Sequence, residues 1–196
     1  MLDTHARKWI EPTIESGAKF FHKLGLSANQ VTMLSLFLGL STSLFILLGK
    51  PVIAVFILWF SGYLDAVDGS IARKYGSTSA VGTLMDITFD RVVELGMILA
   101  LSYRFVDARF MFVALSCAII FSMTVFLTVG ALATQKGIKS FYYQAGVMER
   151  TEGFIGFTMM ILFPSYVGII AGLMAILIVF TGLQRFMEAK KILSGG

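Results

Sequence analysis

Apolar residues fill this chain in long blocks, over 31–48, 52–63, 110–133 and 167–180, separated by short polar or glycine- and proline-containing breaks. A bilayer core of about 30 Å takes about 20 apolar residues of helix. The blocks at 31–48 and 110–133 have that length alone, and the one at 52–63 gains it by running on as a helix to about residue 75. Two further stretches, 79–103 and 149–163, are apolar around embedded charges. Turns are predicted at Gly49-Lys50-Pro51, Gly76-Ser77-Thr78, 104–109, 135–144 and Pro164-Ser165. The pattern predicts six transmembrane helices.

Residues 1–26 follow a different pattern. Trp9, Ile10, Ile14, Ala18, Phe21 and Leu24 recur every three to four positions beside Lys19 and Lys23, which predicts an amphipathic helix lying in the membrane interface. Pro12 is expected to break this helix or to begin its regular part. Ser27 and Asn29 stand as capping residues ahead of the first span. The first thirty residues lack the order of a signal peptide, so this segment is expected to stay. The expected fold is therefore an all-α integral membrane protein, with an interfacial helix over 1–26 and one six-helix membrane domain over 27–196.

Composition supports that picture. Of 196 residues, 57% are hydrophobic and 14% charged, where a soluble domain carries about a quarter charged. The net charge of +4 is spread over loops rather than clustered with aromatics, which argues against a nucleic-acid partner. With the N-terminus in the cytoplasm, Arg7, Lys8, Lys19, Lys23, Arg73, Lys74, Lys136, Lys139, Lys190 and Lys191 fall on that side, against Lys50, Arg104 and Arg109 opposite. Cys117, the one cysteine, sits in an apolar run and is expected to be buried and inert; His5 and His22 are expected at the surface.

Against this background, residues 63–94 stand out. Asp65 and Asp68 lie three apart and Asp86 and Asp90 four apart, so each pair projects from one helix face. At about 1.5 Å per residue the two pairs reach similar depth near one membrane face. Four carboxylates gathered in a low-dielectric place repel one another unless a cation joins them. With no His or Cys nearby, the ligands are hard oxygens that suit magnesium, manganese or calcium rather than zinc. Gly69, Ala72 and Gly82 leave clearance for a ligand to approach backbone, and Arg73 offers a planar fork for phosphate oxygens. The parts suit a diphosphate held between metal and arginine.

Asp65, Asp68-Gly69, Ala72-Arg73, Gly82, Asp86 and Asp90 stand at the spacing of the CDP-alcohol phosphotransferase signature, and the chain is identified by it as resembling that family. The resemblance implies transfer of a substituted phosphate from a CDP-linked alcohol, commonly CDP-diacylglycerol, to the hydroxyl of a second alcohol, releasing CMP. It also implies two divalent cations, magnesium or manganese, on the four aspartates, with Asp90 as base, and a homodimer. Asn29 and Thr32, in SANQVT, resemble the residues that open the family's first helix near the nucleotide, with Ala28 where a proline is common.

The acceptor has weaker marks. Arg91, Lys136 and Arg150 are cations that suit a phosphate-bearing acceptor, although Arg91 with Glu94, or Arg150 with Glu149 or Glu152, would equally form internal ion pairs. Asp90-Arg91 and Glu149-Arg150 are similar to the phosphatidylinositol-phosphate synthase branch, which implies inositol phosphate; glycerol phosphate, serine or another alcohol are the alternatives. An ion or solute transporter is the competing class, and it has no use for Gly69, Ala72, Arg73 and Gly82. Gly168 and Gly172 form a small-xxx-small pair suited to packing helices or a dimer, internal packing being the expected use.

Overall fold

Ser27 starts the second helix by a reciprocal cap. Its hydroxyl accepts the Gln30 N–H while Gln30 Oε1 accepts the Ser27 N–H at 2.9 Å, which satisfies two of the donors a helix start leaves open. That helix, α2, spans Ala28–Leu47. Gly49, at φ +69°, turns the chain in a left-handed conformation that favours glycine, and Pro51 opens α3, Pro51–Lys74, at the position where its missing N–H costs nothing. Ser79 caps α4, Ala80–Arg104, by accepting the Gly82 N–H at 3.0 Å. A helix α1, Leu2–Lys23, precedes them. The computed structural model describes residues 2–76, 78–135 and 146–193 and contains no strand among them.

Residues 2–106 form one compact unit. Small residues bring its helices together: Gly39 of α2 faces Val93 of α4, Gly96 of α4 faces Ser43, and Ser35 donates to the Ser61 carbonyl of α3 at 2.9 Å. Arg104, at the end of α4, donates at 2.7 Å to the Ile46 carbonyl, which also accepts the Gly49 N–H at 3.1 Å, and so ties α4 to the end of α2. Ala18 of α1 is buried with Ala28, Val31, Leu64, Val67 and Ile71, and Ile14 and Phe21 pack against them. The apolar stripe of α1 is thus partly spent on α3, while Ile10, Phe20 and Leu24 stay exposed. α1 also runs unbroken through Pro12, which neither breaks the helix nor begins it, contrary to both expectations.

From Asp107 onward a second unit contains α5, Arg109–Gln135, α6, Arg150–Leu162, and α7, Val167–Leu193. Short 3-10 turns at Val106–Ala108 and Pro164–Tyr166 stand where polar and proline breaks predict them. Its core holds Phe112, Leu115, Phe157, Met160, Ala171 and Met174. Gly168 lies against Ala108 and Gly172 against Met111, so this glycine pair serves internal packing. Cys117 is exposed on α5 rather than buried. An apolar run with no polar face gives no sign of which side turns inward, and this one turns its thiol outward.

Among the described residues, four helical stretches are long and apolar enough to cross a membrane: Ala28–Leu47, Pro51–Lys74, Val106–Leu132 and Pro164–Lys191. The protein is an integral membrane protein. α4 has 25 residues but carries Asp86, Asp90, Arg91, Glu94 and Arg104. α6 has 13 residues, a rise of about 20 Å, short of the hydrocarbon core.

Candidate active site

The C-terminal half of α3 and the N-terminal half of α4 carry the acidic residues. Asp65 and Asp68, one turn apart on α3, are 8% and 5% exposed. Asp86, half-buried on α4, joins them: one carboxylate oxygen from each of the three lies within 4.8 Å of the others. Asp90, one turn further along α4, is half-buried and stands outside that group. Three anions converging with so little water need a cation to balance them. An all-carboxylate set of hard oxygens fits magnesium or manganese. Asp65, Asp68 and Asp86 are the residues that would hold it.

Arg73 folds back over Gly69. A Cβ at position 69 would stand 3.2 Å from Arg73 Nη1, so glycine leaves the guanidinium room beside the backbone, one turn past Asp68. Asn29 reaches α4 in the same way: a Cβ at position 82 would stand 3.2 Å from Asn29 Oδ1 and 3.2 Å from Ser79 Oγ. Asn29 therefore faces Gly82, while the capping it was expected to share falls to Ser27 alone. Thr32 is 5% exposed and donates its hydroxyl to the Ala28 carbonyl at 3.0 Å. Ala72 is partly buried against the cluster around Ala18 and Ile71.

The residues expected for the acceptor are less gathered. Arg91 is half-buried and ion-paired with Glu94 one turn along α4. Arg150 is the first residue of α6, with its guanidinium 5.8 Å from the centre of the Phe154 ring. Lys136 lies outside the described residues. A clasp of α1 on α3 was missed from sequence: Tyr63, two residues before Asp65, donates its hydroxyl to the Thr13 carbonyl at 3.0 Å and sits against Gly17. Gly17 within an amphipathic helix was the available signal, since an isolated glycine there often marks a close approach.

Residues 26–184 match the family described as CDP-alcohol phosphatidyltransferase. The inner membrane protein YnjF of Escherichia coli is 31% identical over 85% of this chain and 84% of its own. An archaetidylinositol phosphate synthase of Pyrococcus horikoshii is 29% identical over 97% of both chains. The solved structure of Mycobacterium tuberculosis phosphatidylinositol phosphate synthase in complex with manganese and citrate superimposes with a TM-score of 0.72 over 90% of this chain and 88% of that one, at 23% identity, a likeness of fold. With the signature's carboxylates converging as they do, the chain belongs to the CDP-alcohol phosphatidyltransferase family, and is an enzyme that transfers a substituted phosphate group from a CDP-linked alcohol.

Proposed function

We propose that this enzyme transfers the phosphatidyl group of CDP-diacylglycerol, or of a related CDP-lipid, to inositol phosphate and releases CMP. The observation that carries the reaction is the convergence of Asp65, Asp68 and Asp86 within 4.8 Å, with Arg73 over Gly69, the residue after Asp68. The acceptor is supported by full-length similarity to an archaetidylinositol phosphate synthase and by Arg91 and Arg150 following acidic residues. Glycerol phosphate or serine would place the chain in another branch. A transporter is set aside by membership of a transferase family.

Divalent cations, magnesium or manganese and two in number by family resemblance, would neutralise the diphosphate and the charge that develops on it. The chain's own groups supply the rest. Arg73 binds phosphate oxygens as a fork, with Gly69, Ala72 and Gly82 giving the nucleotide access to backbone and Asn29 and Thr32 on the cytidine side. Asp90 accepts the proton of the acceptor hydroxyl; the new oxygen–phosphorus bond forms at the lipid-bearing phosphorus and the bond to CMP breaks. The cations the sequence offers for the acceptor's phosphate are Arg91 in the first unit and Lys136 and Arg150 beyond it. The membrane domain, 27–196, is assigned six spans, with α4 and α6 as the charged and the short member. α1 is assigned to the interface by its exposed Ile10 and Phe20, with exposed Leu24 just past its end, and the site to the cytoplasmic face by the distribution of Lys and Arg. A homodimer is the expected assembly.

CMP release by purified protein in detergent tests this, with CDP-diacylglycerol, magnesium and inositol phosphate, glycerol phosphate or serine in turn. Chelator-sensitive release with inositol phosphate alone is the expected result. Release with serine or glycerol phosphate instead would overturn the acceptor, and release indifferent to chelator would overturn the metal.

A further inference from the structure

Thr181, on α7, is 1% exposed, and its hydroxyl is used twice. Its single proton goes to the Leu177 carbonyl one turn back, at 2.9 Å, which leaves only lone pairs for another partner. Met148 donates its backbone N–H to that oxygen at 3.0 Å. Gly146 rests on the same side chain: a Cβ at position 146 would run into Thr181 Cγ2 and stand 3.4 Å from both Thr181 Cβ and Oγ1. One threonine therefore anchors residues 146 and 148, in a stretch that has no helical ladder of its own to fix its path.

Glu149 comes next. It is 7% exposed and closes a reciprocal cap with Glu152, whose Oε2 accepts the Glu149 N–H at 3.3 Å. Arg150 follows as the first residue of α6. The chain thus passes from the threonine anchor through a capped turn straight into the arginine, and the path into Arg150 is set by what holds 146–148.

We propose that Thr181 is a positioning residue for acceptor recognition: by holding 146–148 against α7 it fixes where Arg150 presents its guanidinium to the acceptor's phosphate. This rests on Arg150 being an acceptor contact. Thr181→Val keeps the shape and the helix but removes the acceptor of the Met148 N–H; Thr181→Ser keeps the hydroxyl. Gly146→Ala leaves the hydroxyl in place and pushes the segment off it.

Steady-state kinetics on the full chain in detergent test this, using CDP-diacylglycerol with whichever of inositol phosphate or glycerol phosphate the unmodified protein turns over. T181V is expected to raise the acceptor KM about tenfold, with the KM for CDP-diacylglycerol within about twofold of the unmodified value. T181S should restore most of the loss, and G146A should reproduce the T181V effect. In R150Q the acceptor KM should also rise, and adding T181V to R150Q should change it no further, because the two act in series. An unchanged acceptor KM in both T181V and G146A, with R150Q raised, would overturn the positioning role alone. An unchanged KM in R150Q would overturn the Arg150 assignment and the proposal with it. Additive effects of T181V and R150Q, or equal rises in both KM values, would leave Thr181 a purely structural role. If T181V does not fold, the G146A and G146A/R150Q pair decides by the same criteria.

Discussion

Lys74 Nζ lies 2.6 Å from the Glu15 carboxylate, tying α1 to the last turn of α3 beside Arg73. Both side chains are 45% exposed, and such pairs contribute about 0–1 kcal/mol. The deeper clasp is Tyr63 on Thr13 and Gly17, with Val67 Cγ2 3.0 Å from where a Cβ at 17 would sit. Glu15→Gln is therefore expected to lower the unfolding midpoint in detergent by less than about 3 °C. Gly17→Leu has nowhere to put its side chain and should lower it by several times that. Equal losses from the two variants would mean that the ion pair, and not the close approach, holds α1 in place.

Asp68 and Asp90 should fail differently. Asp68 belongs to the group of three carboxylates and Asp90 stands outside it. Asp68→Asn is expected to abolish both CMP release and magnesium-dependent binding of CDP. Asp90→Asn should lower turnover by about 10²- to 10⁴-fold, the usual range for a general base, while largely keeping magnesium-dependent CDP binding. Calorimetric titration of CDP with and without magnesium separates the two. Loss of binding in Asp90→Asn would make it chiefly a ligand.

The site was more legible in the chain than the number of membrane crossings. Asp65, Asp68 and Asp86 are fixed by helical periodicity once the turn at Gly76 is recognised, because α3 and α4 have uniform rise and their depth follows from counting. Helix ends were legible for a similar reason, with Ser27, Pro51 and the 104–109 break each acting locally. The orientation of Cys117 was not, since an all-apolar helix carries no polar face to set its rotation. Pro12 misled because the helix continues through it, held by packing of Ile14, Ala18 and Phe21 in the cluster with Val31, Leu64 and Val67, against a local cost of about 3 kcal/mol. Thr32 and Ala72 carry contacts that spacing does not contain: the Thr32 hydroxyl donates to the Ala28 carbonyl, and Ala72 packs against the buried cluster around Ala18, Val31 and Ile71.

Gly69→Ala should separate stability from function with opposite signs. The atom a new methyl would meet is Arg73 Nη1 at 3.2 Å, the far end of an exposed, flexible side chain that can move aside. Replacing a mid-helix glycine with alanine stabilises a helix by about 1 kcal/mol, so the unfolding midpoint should rise slightly. The displaced guanidinium no longer lies over Gly69, and the KM for CDP-diacylglycerol should rise about tenfold or more. A variant with unchanged KM would remove Gly69 and Arg73 from donor binding.

The Arg91–Glu94 pair sets up the last test. The side chains are 31% and 22% exposed, so the pair is partly shielded from water and each partner limits the other's freedom to bind elsewhere. If Arg91 receives the acceptor's phosphate, Glu94 competes with that phosphate for the guanidinium. Glu94→Gln keeps the side chain's size and removes the competing charge, so the acceptor KM should fall by about threefold to tenfold. The same change leaves Arg91 without its carboxylate when no acceptor is bound, which should lower stability by about 1–3 kcal/mol in the free enzyme. Saturating acceptor should recover part of that loss, because a ligand that binds only the folded protein stabilises it by mass action. Kinetics and thermal unfolding with and without acceptor read both effects. Lower stability with no gain in acceptor affinity would assign the pair to holding α4 together and leave Arg91 outside the acceptor site.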